Sequence, residues 1–72
     1  MIDYSPFWET LKKTDMSTYK LIKFYHLSGS TIQRLRDNRP LSTKTINDLC
    51  IALDCNVDGI MRYTPSDQDQ LL

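Results

Sequence analysis

Two short helical segments joined by a tight turn, in residues 17–37, constrain the fold of this chain more than any other feature. Ser17 precedes the first segment and Ser28 precedes the second, and each hydroxyl can accept a hydrogen bond from the free backbone N–H groups of a first helical turn. Apolar residues recur at helical spacing in both segments: Leu21, Ile22 and Tyr25 in the first, Ile32 and Leu35 in the second. We therefore expect the two segments to share a core.

Helices are also predicted on both sides of this pair. Ser5 as a cap and Pro6 at the first helical position predict a helix to about Thr14. Its apolar face has helical spacing and consists of Tyr4, Phe7, Trp8 and Leu11. Met16, just before the Ser17 cap, is placed for a hydrophobic staple.

The chain after residue 37 predicts two more helices. Turn-forming residues and Pro40 end the central pair. Ser42 or Thr43 then caps a helix to about Leu53, with an apolar face made of Ile46, Leu49, Cys50 and Leu53. The apolar residues Val57, Ile60 and Met61 indicate a last short helix, which is expected to begin near Asn56 or Asp58. No strand is expected, and residues 1–63 are predicted to form one domain followed by a loose polar tail, residues 64–72.

Charge is distributed unevenly along the chain. The net charge is zero, which by itself argues against a nucleic-acid partner. However, residues 17–44 hold six cations against one acid, a net charge of +5, while residues 45–72 carry −4. We therefore expect one positive face on an otherwise neutral molecule.

Several classes of function have little support in the sequence. No apolar run is long enough to span a membrane, and the N-terminus lacks a secretory signal, so we expect a cytoplasmic protein without membrane contact. Cys50 and Cys55 have a spacing that fits neither a metal-ligand pair nor a redox motif, and they are interpreted as reduced thiols. His26 is the lone imidazole, and no nucleophile has a neighbouring base. We expect no enzyme activity, metal, cofactor or small-molecule ligand.

The two central segments resemble the helix-turn-helix of the phage repressor and Cro family, often called Xre-type, and the resemblance covers roughly residues 7–63. Members typically carry a small residue fifth, glycine ninth and aliphatic residues fifteenth and eighteenth in a twenty-residue unit, which begins here at Thr18. Ile32 and Leu35 match the later two positions, whereas Ile22 and His26 depart from the earlier two. Ile22 in place of a small residue implies that the two helices lie further apart or that the side chains next to Ile22 are smaller. His26 in place of glycine implies a histidine in the left-handed backbone conformation. The resemblance implies a compact, all-α, five-helix repressor-like domain.

The resemblance also implies which residues meet DNA. An α-helix fits the major groove, and the family's base contacts carry over to Gly29, Ser30 and Arg34, while Gln33 is a lateral candidate that can read adenine. Gly29 lacks a side chain to read a base, so it would instead allow a close approach of the backbone. Phosphate contacts are expected from hydroxyl and cationic residues around the groove: Thr18, Thr31, Arg36, Arg39 and Lys44.

We accordingly expect a small transcriptional regulator, a repressor, that binds double-stranded DNA as a homodimer on an inverted repeat. Two dimer surfaces remain open: the first helix, or the final helix and tail through Ile60, Met61, Tyr63, Leu71 or Leu72. The alternative function is a protein-protein interaction module of the same fold, accessory or antirepressor-like, without specific DNA binding. The zero net charge and Gly29 at a base-reading position favour this alternative.

Overall fold

The computed structural model describes residues 1–67, which form a mainly helical domain. The elements in chain order are β1 (Ile2–Asp3), α1 (Ser5–Lys13), α2 (Thr18–Tyr25), α3 (Gly29–Arg36), α4 (Thr43–Leu53), a 3₁₀ turn (Val57–Gly59) and β2 (Arg62–Tyr63). The helix-turn-helix architecture is confirmed, with α2 and α3 as its two helices. No helix among the described residues is long and apolar enough to cross a bilayer.

The five-helix count is wrong, because the fifth helix is only a 3₁₀ turn. The Gly59 carbonyl, which a continuing helix would use internally, accepts a hydrogen bond of 2.7 Å from the Thr10 hydroxyl of α1. The turn therefore ends at Gly59, and the chain leaves it with Ile60 fully buried. Ile60 is consequently excluded as a residue of a dimer surface.

The expectation of no strand is also wrong. β1 and β2 pair antiparallel, with Ile2 opposite Tyr63 and Asp3 opposite Arg62. The backbone N–H of Thr64 donates to the Met1 carbonyl at 2.9 Å and extends this pairing by one residue. The start of the chain is thereby held against residues 62–64, where the predicted tail begins. Residues 68–72 of that tail, with the proposed contacts of Leu71 and Leu72, lie outside the described residues.

Serine hydroxyls cap three of the four helices. Ser17, Ser28 and Ser42 each accept a hydrogen bond of 3.1 Å from the backbone N–H three residues later. The cap of α4 is therefore Ser42, which settles the choice between Ser42 and Thr43.

The prediction of Ser5 as the cap of α1 is wrong. Ser5 is already the first helical residue, and its backbone N–H donates to the Asp3 carboxylate at 3.0 Å. The side chain of Asn38 accepts from the Tyr4 backbone N–H at 3.0 Å, which ties the start of α1 to the segment after α3.

A single core is shared by all four helices, by Tyr4 before α1 and by Ile60 after the 3₁₀ turn. Its buried members are Tyr4, Phe7, Leu11, Leu21, Ile32, Leu35, Ile46, Leu49, Ala52, Leu53 and Ile60. Trp8 and Met16 pack against this cluster in partly buried positions. The shared core predicted for the two central segments is confirmed through Leu21, Ile32 and Leu35.

The contribution predicted for Ile22 and Tyr25 is wrong. These side chains are 44% and 45% exposed, and Leu21 is the one fully buried residue of α2. In a helix of 3.6 residues per turn, Ile22 lies about 100° around the axis from Leu21, so a short helix that buries Leu21 turns Ile22 toward its edge. Much of the bulk of Ile22 therefore lies outside the space between α2 and α3.

The end of α4 explains the five-residue spacing of the cysteines. Asp54 has the left-handed conformation, and the Cys55 backbone N–H donates to the Cys50 carbonyl at 3.1 Å. This is the Schellman arrangement, in which the two residues joined by that bond also place their side chains together. Both thiols are free and half-buried, and burial raises the pKa of Cys55.

Candidate nucleic-acid interface

The joint between α2 and α3 consists of three residues, His26, Leu27 and Ser28. His26 has φ 59° and ψ 28°, the left-handed conformation in which the related family usually carries glycine. Histidine tolerates this region better than most side chains but at a cost in free energy. Leu27 packs against the core, and its backbone N–H donates to the Leu21 carbonyl at 3.3 Å. The turn therefore has the expected left-handed form without glycine.

Helix α3 presents a polar face to solvent. Ile32 and Leu35 are buried, whereas five other residues of the helix are exposed: Gly29, Ser30, Gln33, Arg34 and Arg36. Thr31 is half-buried. All four predicted base-contacting residues, Gly29, Ser30, Gln33 and Arg34, are thus on the exposed part of one eight-residue helix.

Three hydroxyl groups meet at the N-terminus of α3. The Ser28 Oγ atom lies 2.9 Å from Ser30 Oγ and 3.0 Å from Thr31 Oγ1, and it also accepts from the Thr31 backbone N–H. A hydroxyl has one hydrogen and two lone pairs, so Ser28 can accept from only one of these two hydroxyls and must donate to the other. The hydroxyl that accepts from Ser28 keeps its own hydrogen available for an external acceptor.

The two long side chains predicted to read bases differ in their surroundings. Gln33 Nε2 donates to the Asp37 carboxylate at 3.1 Å, so this amide is partly engaged. The Arg34 side chain is exposed and forms no hydrogen bond or ion pair with any other side chain of residues 1–67. Its guanidinium can therefore offer its full set of donors to a ligand.

Gly29 has open space around it. A Cβ atom built at this position meets no other heavy atom within 4 Å, and the backbone φ of Gly29 is not positive. Neither packing nor backbone conformation within the chain therefore requires glycine at the first position of α3.

The five residues predicted to contact phosphate lie at three places in the chain: Thr18 at the start of α2, three residues in or just after α3, and Lys44 in α4. Thr18 is half-buried at the first position of α2, and Thr31 belongs to the hydroxyl cluster described above. Lys44 pairs with Asp48 at 3.0 Å on the surface of α4, and this hydrogen bond lowers the pKa of Asp48.

Arg36 and Arg39 follow at the end of α3. Arg39 is exposed, and its backbone carbonyl accepts a hydrogen bond of 2.7 Å from the Tyr4 hydroxyl. The guanidinium of Arg36 lies 5.8 Å from the centre of the Trp8 ring of α1. Both positions are therefore held by contacts to the start of the chain.

The contact between Trp8 and Arg36 was missed by the sequence interpretation, which placed Trp8 only on the apolar face of the first helix. The two residues are separated by 28 positions, and no periodic pattern links residues on different helices. The role of Ser28 as the centre of a hydroxyl cluster was also missed, although a serine cap followed by hydroxyls at the second and third positions could have indicated it. In the described part of the chain, no group of three or more His, Cys, Asp or Glu residues is placed to hold a metal ion.

Comparisons with known proteins agree with the helix-turn-helix fold. The Cro/C1-type HTH DNA-binding domain matches residues 7–66. Among solved structures, the crystal structure of the transcriptional regulator VanUg is similar, with a TM-score of 0.81 and 26% sequence identity over 90% of this chain and 87% of that chain. No curated protein matches.

Proposed function

Since the chain belongs to the Cro/C1-type helix-turn-helix family of DNA-binding domains, we propose that it is a sequence-specific transcriptional repressor that reads the major groove with α3. The observation that carries this proposal is the exposed guanidinium of Arg34, which has no side-chain partner among residues 1–67. An arginine can donate two hydrogen bonds to O6 and N7 of guanine, which is worth roughly 1 to 3 kcal/mol of discrimination. Ser30, Gln33 and the open backbone at Gly29 complete the proposed base-reading face.

Phosphate contacts would fix the position of α3 in the groove. Thr18 and Thr31 are at the starts of α2 and α3, where free backbone N–H groups favour an anion. Arg36, Arg39 and Lys44 supply positive charge around the end of α3 and the start of α4. Lys44 remains available despite its bond to Asp48, because the Lys44 side chain is 84% exposed and ion pairs at the surface contribute little to stability. With about six phosphate contacts, affinity should fall about a thousandfold between 50 and 200 mM salt.

One recognition helix reads too few base pairs to select a site in a genome, so we propose a homodimer on an inverted repeat. Its half-sites would be centred one helical turn, about 34 Å, apart. Of the proposed dimer contacts at the C-terminal end of the domain, Tyr63 is 63% exposed and remains a candidate, and the exposed side of α1 is the other candidate. The two free thiols fit action in the reducing cytoplasm.

The experiment that tests this proposal is selection of bound duplexes from a random DNA pool, sequenced after several rounds. Enrichment of an inverted repeat is expected, and the spacing of its half-sites reports the dimer geometry. A pool that stays random with folded protein at high concentration would refute sequence-specific binding.

Two variants of Arg34 then separate base reading from charge. Arg34→Ala removes both the base contact and the positive charge, whereas Arg34→Lys keeps the charge but loses the planar fork that fits guanine. We expect Arg34→Lys to retain affinity for mixed-sequence DNA while its preference for the selected guanine falls by about ten- to a hundredfold. An unchanged preference in Arg34→Lys would remove Arg34 from the base-reading face.

The protein-interaction module remains the second candidate because α2 and α4 expose large apolar side chains. Tyr19, Phe24 and Ile51 are 65%, 62% and 69% exposed. Such side chains are typical of the anchors of protein interfaces. Two results together would favour this function: the selection enriches no DNA sequence, and Arg34→Ala binds a protein partner as well as the wild type does.

A further inference from the structure

The indole of Trp8 lies at the junction of α1 and the end of the recognition helix. Its ring meets the buried Phe7 ring edge to face, with centroids 4.8 Å apart and an interplanar angle of 80°. Because Phe7 is fully buried, the half-buried Trp8 ring is anchored on one side by the core. The Arg36 guanidinium lies 5.8 Å from the centre of the same Trp8 ring. Trp8 is thus a fixed aromatic surface beneath the last side chain of α3.

This contact does not consume the hydrogen-bonding capacity of Arg36. A cation over an aromatic face is attracted by the ring quadrupole and needs none of its N–H donors for that contact. The side chain of Arg36 forms no hydrogen bond or ion pair with residues 1–67, and the nearest acid in sequence, Asp37, binds Gln33 instead. The guanidinium is therefore held in place while its five N–H donors remain free.

The position of Arg36 along α3 is suitable for a contact with the DNA backbone. It is seven residues after Gly29, which corresponds to a rise of about 10.5 Å along the helix. The major groove is about 12 Å wide, so a helix that enters with its N-terminal end brings this position near the phosphates at the rim of the groove. Gly29, Gln33 and Arg36 recur at i, i+4 and i+7 and share one side of α3.

We propose that Trp8 is a positioning residue for DNA binding, which holds the Arg36 guanidinium ready for a phosphate of the DNA backbone. An unrestrained arginine loses rotamer freedom when it binds, and a side chain already held in one place loses less. Trp8 would therefore increase affinity through Arg36 without touching DNA or reading sequence. The inference rests on the proposed function, because it assigns a second role within the same interface.

The test is a double-mutant cycle read out by DNA affinity. Wild type, Trp8→Leu, Arg36→Ala and the double variant are titrated against a labelled mixed-sequence 20-base-pair duplex at several salt concentrations between 50 and 200 mM. Arg36→Ala is expected to reduce the slope of log affinity against log salt by about 0.9 for each subunit bound, the value for one phosphate. Trp8→Leu is expected to weaken binding about two- to fivefold, and to have no further effect once Arg36 is alanine.

Trp8→Phe is the matched control, because it retains a smaller aromatic face and should weaken binding less than Trp8→Leu. Thermal unfolding of each variant verifies that the titrations compare folded proteins. If Trp8→Leu does not fold, the same cycle is measured with Trp8→Phe, whose smaller loss should likewise vanish in the Arg36→Ala background.

Independent, multiplicative effects of the two substitutions would overturn the positioning role, as would wild-type affinity in Trp8→Leu. Both results leave the proposed function intact, because wild-type protein would still bind DNA. Failure of the wild type to bind any duplex would instead refute the proposed function, and the role of Trp8 with it.

Discussion

Replacing His26 by glycine should stabilise the domain, since His26 occupies a left-handed position at the joint of the helix-turn-helix. An L-residue in this region costs roughly 1 to 2 kcal/mol, which glycine avoids. Glycine also lowers the free energy of unfolding by roughly 0.5 to 1 kcal/mol, because it has more backbone freedom in the unfolded state. His26 is exposed, and its ring makes no hydrogen bond or ion pair with residues 1–67, so the substitution removes neither kind of interaction. Together these two effects give a net gain of about 0 to 1.5 kcal/mol, with a central value of about 0.75 kcal/mol.

Thermal unfolding is a sufficient assay for this change. In a domain of this size, 1 kcal/mol shifts Tm by about 4 to 8 °C, so the central value for His26→Gly should raise Tm by about 3 to 6 °C. His26→Asn is the control for side-chain size, because asparagine also tolerates the left-handed region, and it should unfold near the wild-type Tm. His26→Val should lower the free energy of unfolding by about 1 to 3 kcal/mol, because a β-branched residue is strained there.

The order of the series is what tests the reasoning. Glycine should be the most stable, histidine and asparagine intermediate, and valine the least stable. A glycine variant that is less stable than wild type, or a valine variant equal to it, would show that the backbone at residue 26 does not hold the left-handed conformation in solution.

Three further predictions concern other positions of the fold. Gly29→Ala should leave the free energy of unfolding unchanged or raise it by up to about 1 kcal/mol, because the added Cβ meets nothing within 4 Å. The same variant should bind the selected duplex more weakly in a fluorescence anisotropy titration, and equal affinity would exclude a close approach of the backbone to DNA. Gly59→Ala should lower the free energy of unfolding by about 1 to 3 kcal/mol in urea, because its Cβ would lie 3.0 Å from Cys55 Cβ. The hydrogen bond from the Ser5 backbone lowers the pKa of Asp3 below its ordinary 3.8, so the ionised carboxylate stabilises the folded state above that pH. Asp3→Ala should therefore be less stable than wild type at neutral pH, and urea unfolding should show the difference shrinking as the pH falls through and below 3.8; a difference independent of pH would contradict this assignment.

The elements predicted correctly are those with local signals. Ser17 and Ser28 each cap the helix that follows, and each hydroxyl lies only three residues before the backbone N–H that it binds. Ile32 and Leu35 were placed inward by helical spacing alone, and the exposed face of α3 follows from the same spacing. These features depend on neighbours along the chain, which a single sequence contains.

The features that were predicted wrongly depend on contacts between distant residues. The pairing of Ile2 with Tyr63 joins strands of only two residues, too short for any alternating pattern to reveal. The 3₁₀ turn ends at Gly59 because Thr10, 49 residues earlier, binds its carbonyl. Helical spacing indicated an apolar stripe on α2, but only packing against the other helices decided that Leu21 rather than Ile22 would be buried.

In the candidate site, too, contacts between neighbours in the sequence could be predicted, whereas contacts between different helices could not. Helical spacing places Gln33 near Asp37 and Lys44 near Asp48, because residues four apart share a helix face. The contact of Arg36 with Trp8 depends on how α1 lies against α3, which no local pattern contains.

A net charge of zero is compatible with a positive surface on α3, because the acidic residues pair with groups other than Arg34 and Arg36. Asp3 pairs with Arg62 at 3.3 Å, beside the strand pair, and Asp37 accepts from an uncharged amide rather than from an arginine. Within residues 1–67, Arg34 and Arg36 therefore have no acidic partner to neutralise them. Because salt screens exposed charges over about 8 to 10 Å, the potential at a short helix is set mainly by charges close to it rather than by the sum over the chain. The absence of an acidic partner for Arg34 and Arg36 within residues 1–67 therefore matters more for the attraction of an anionic partner to α3 than the net charge does.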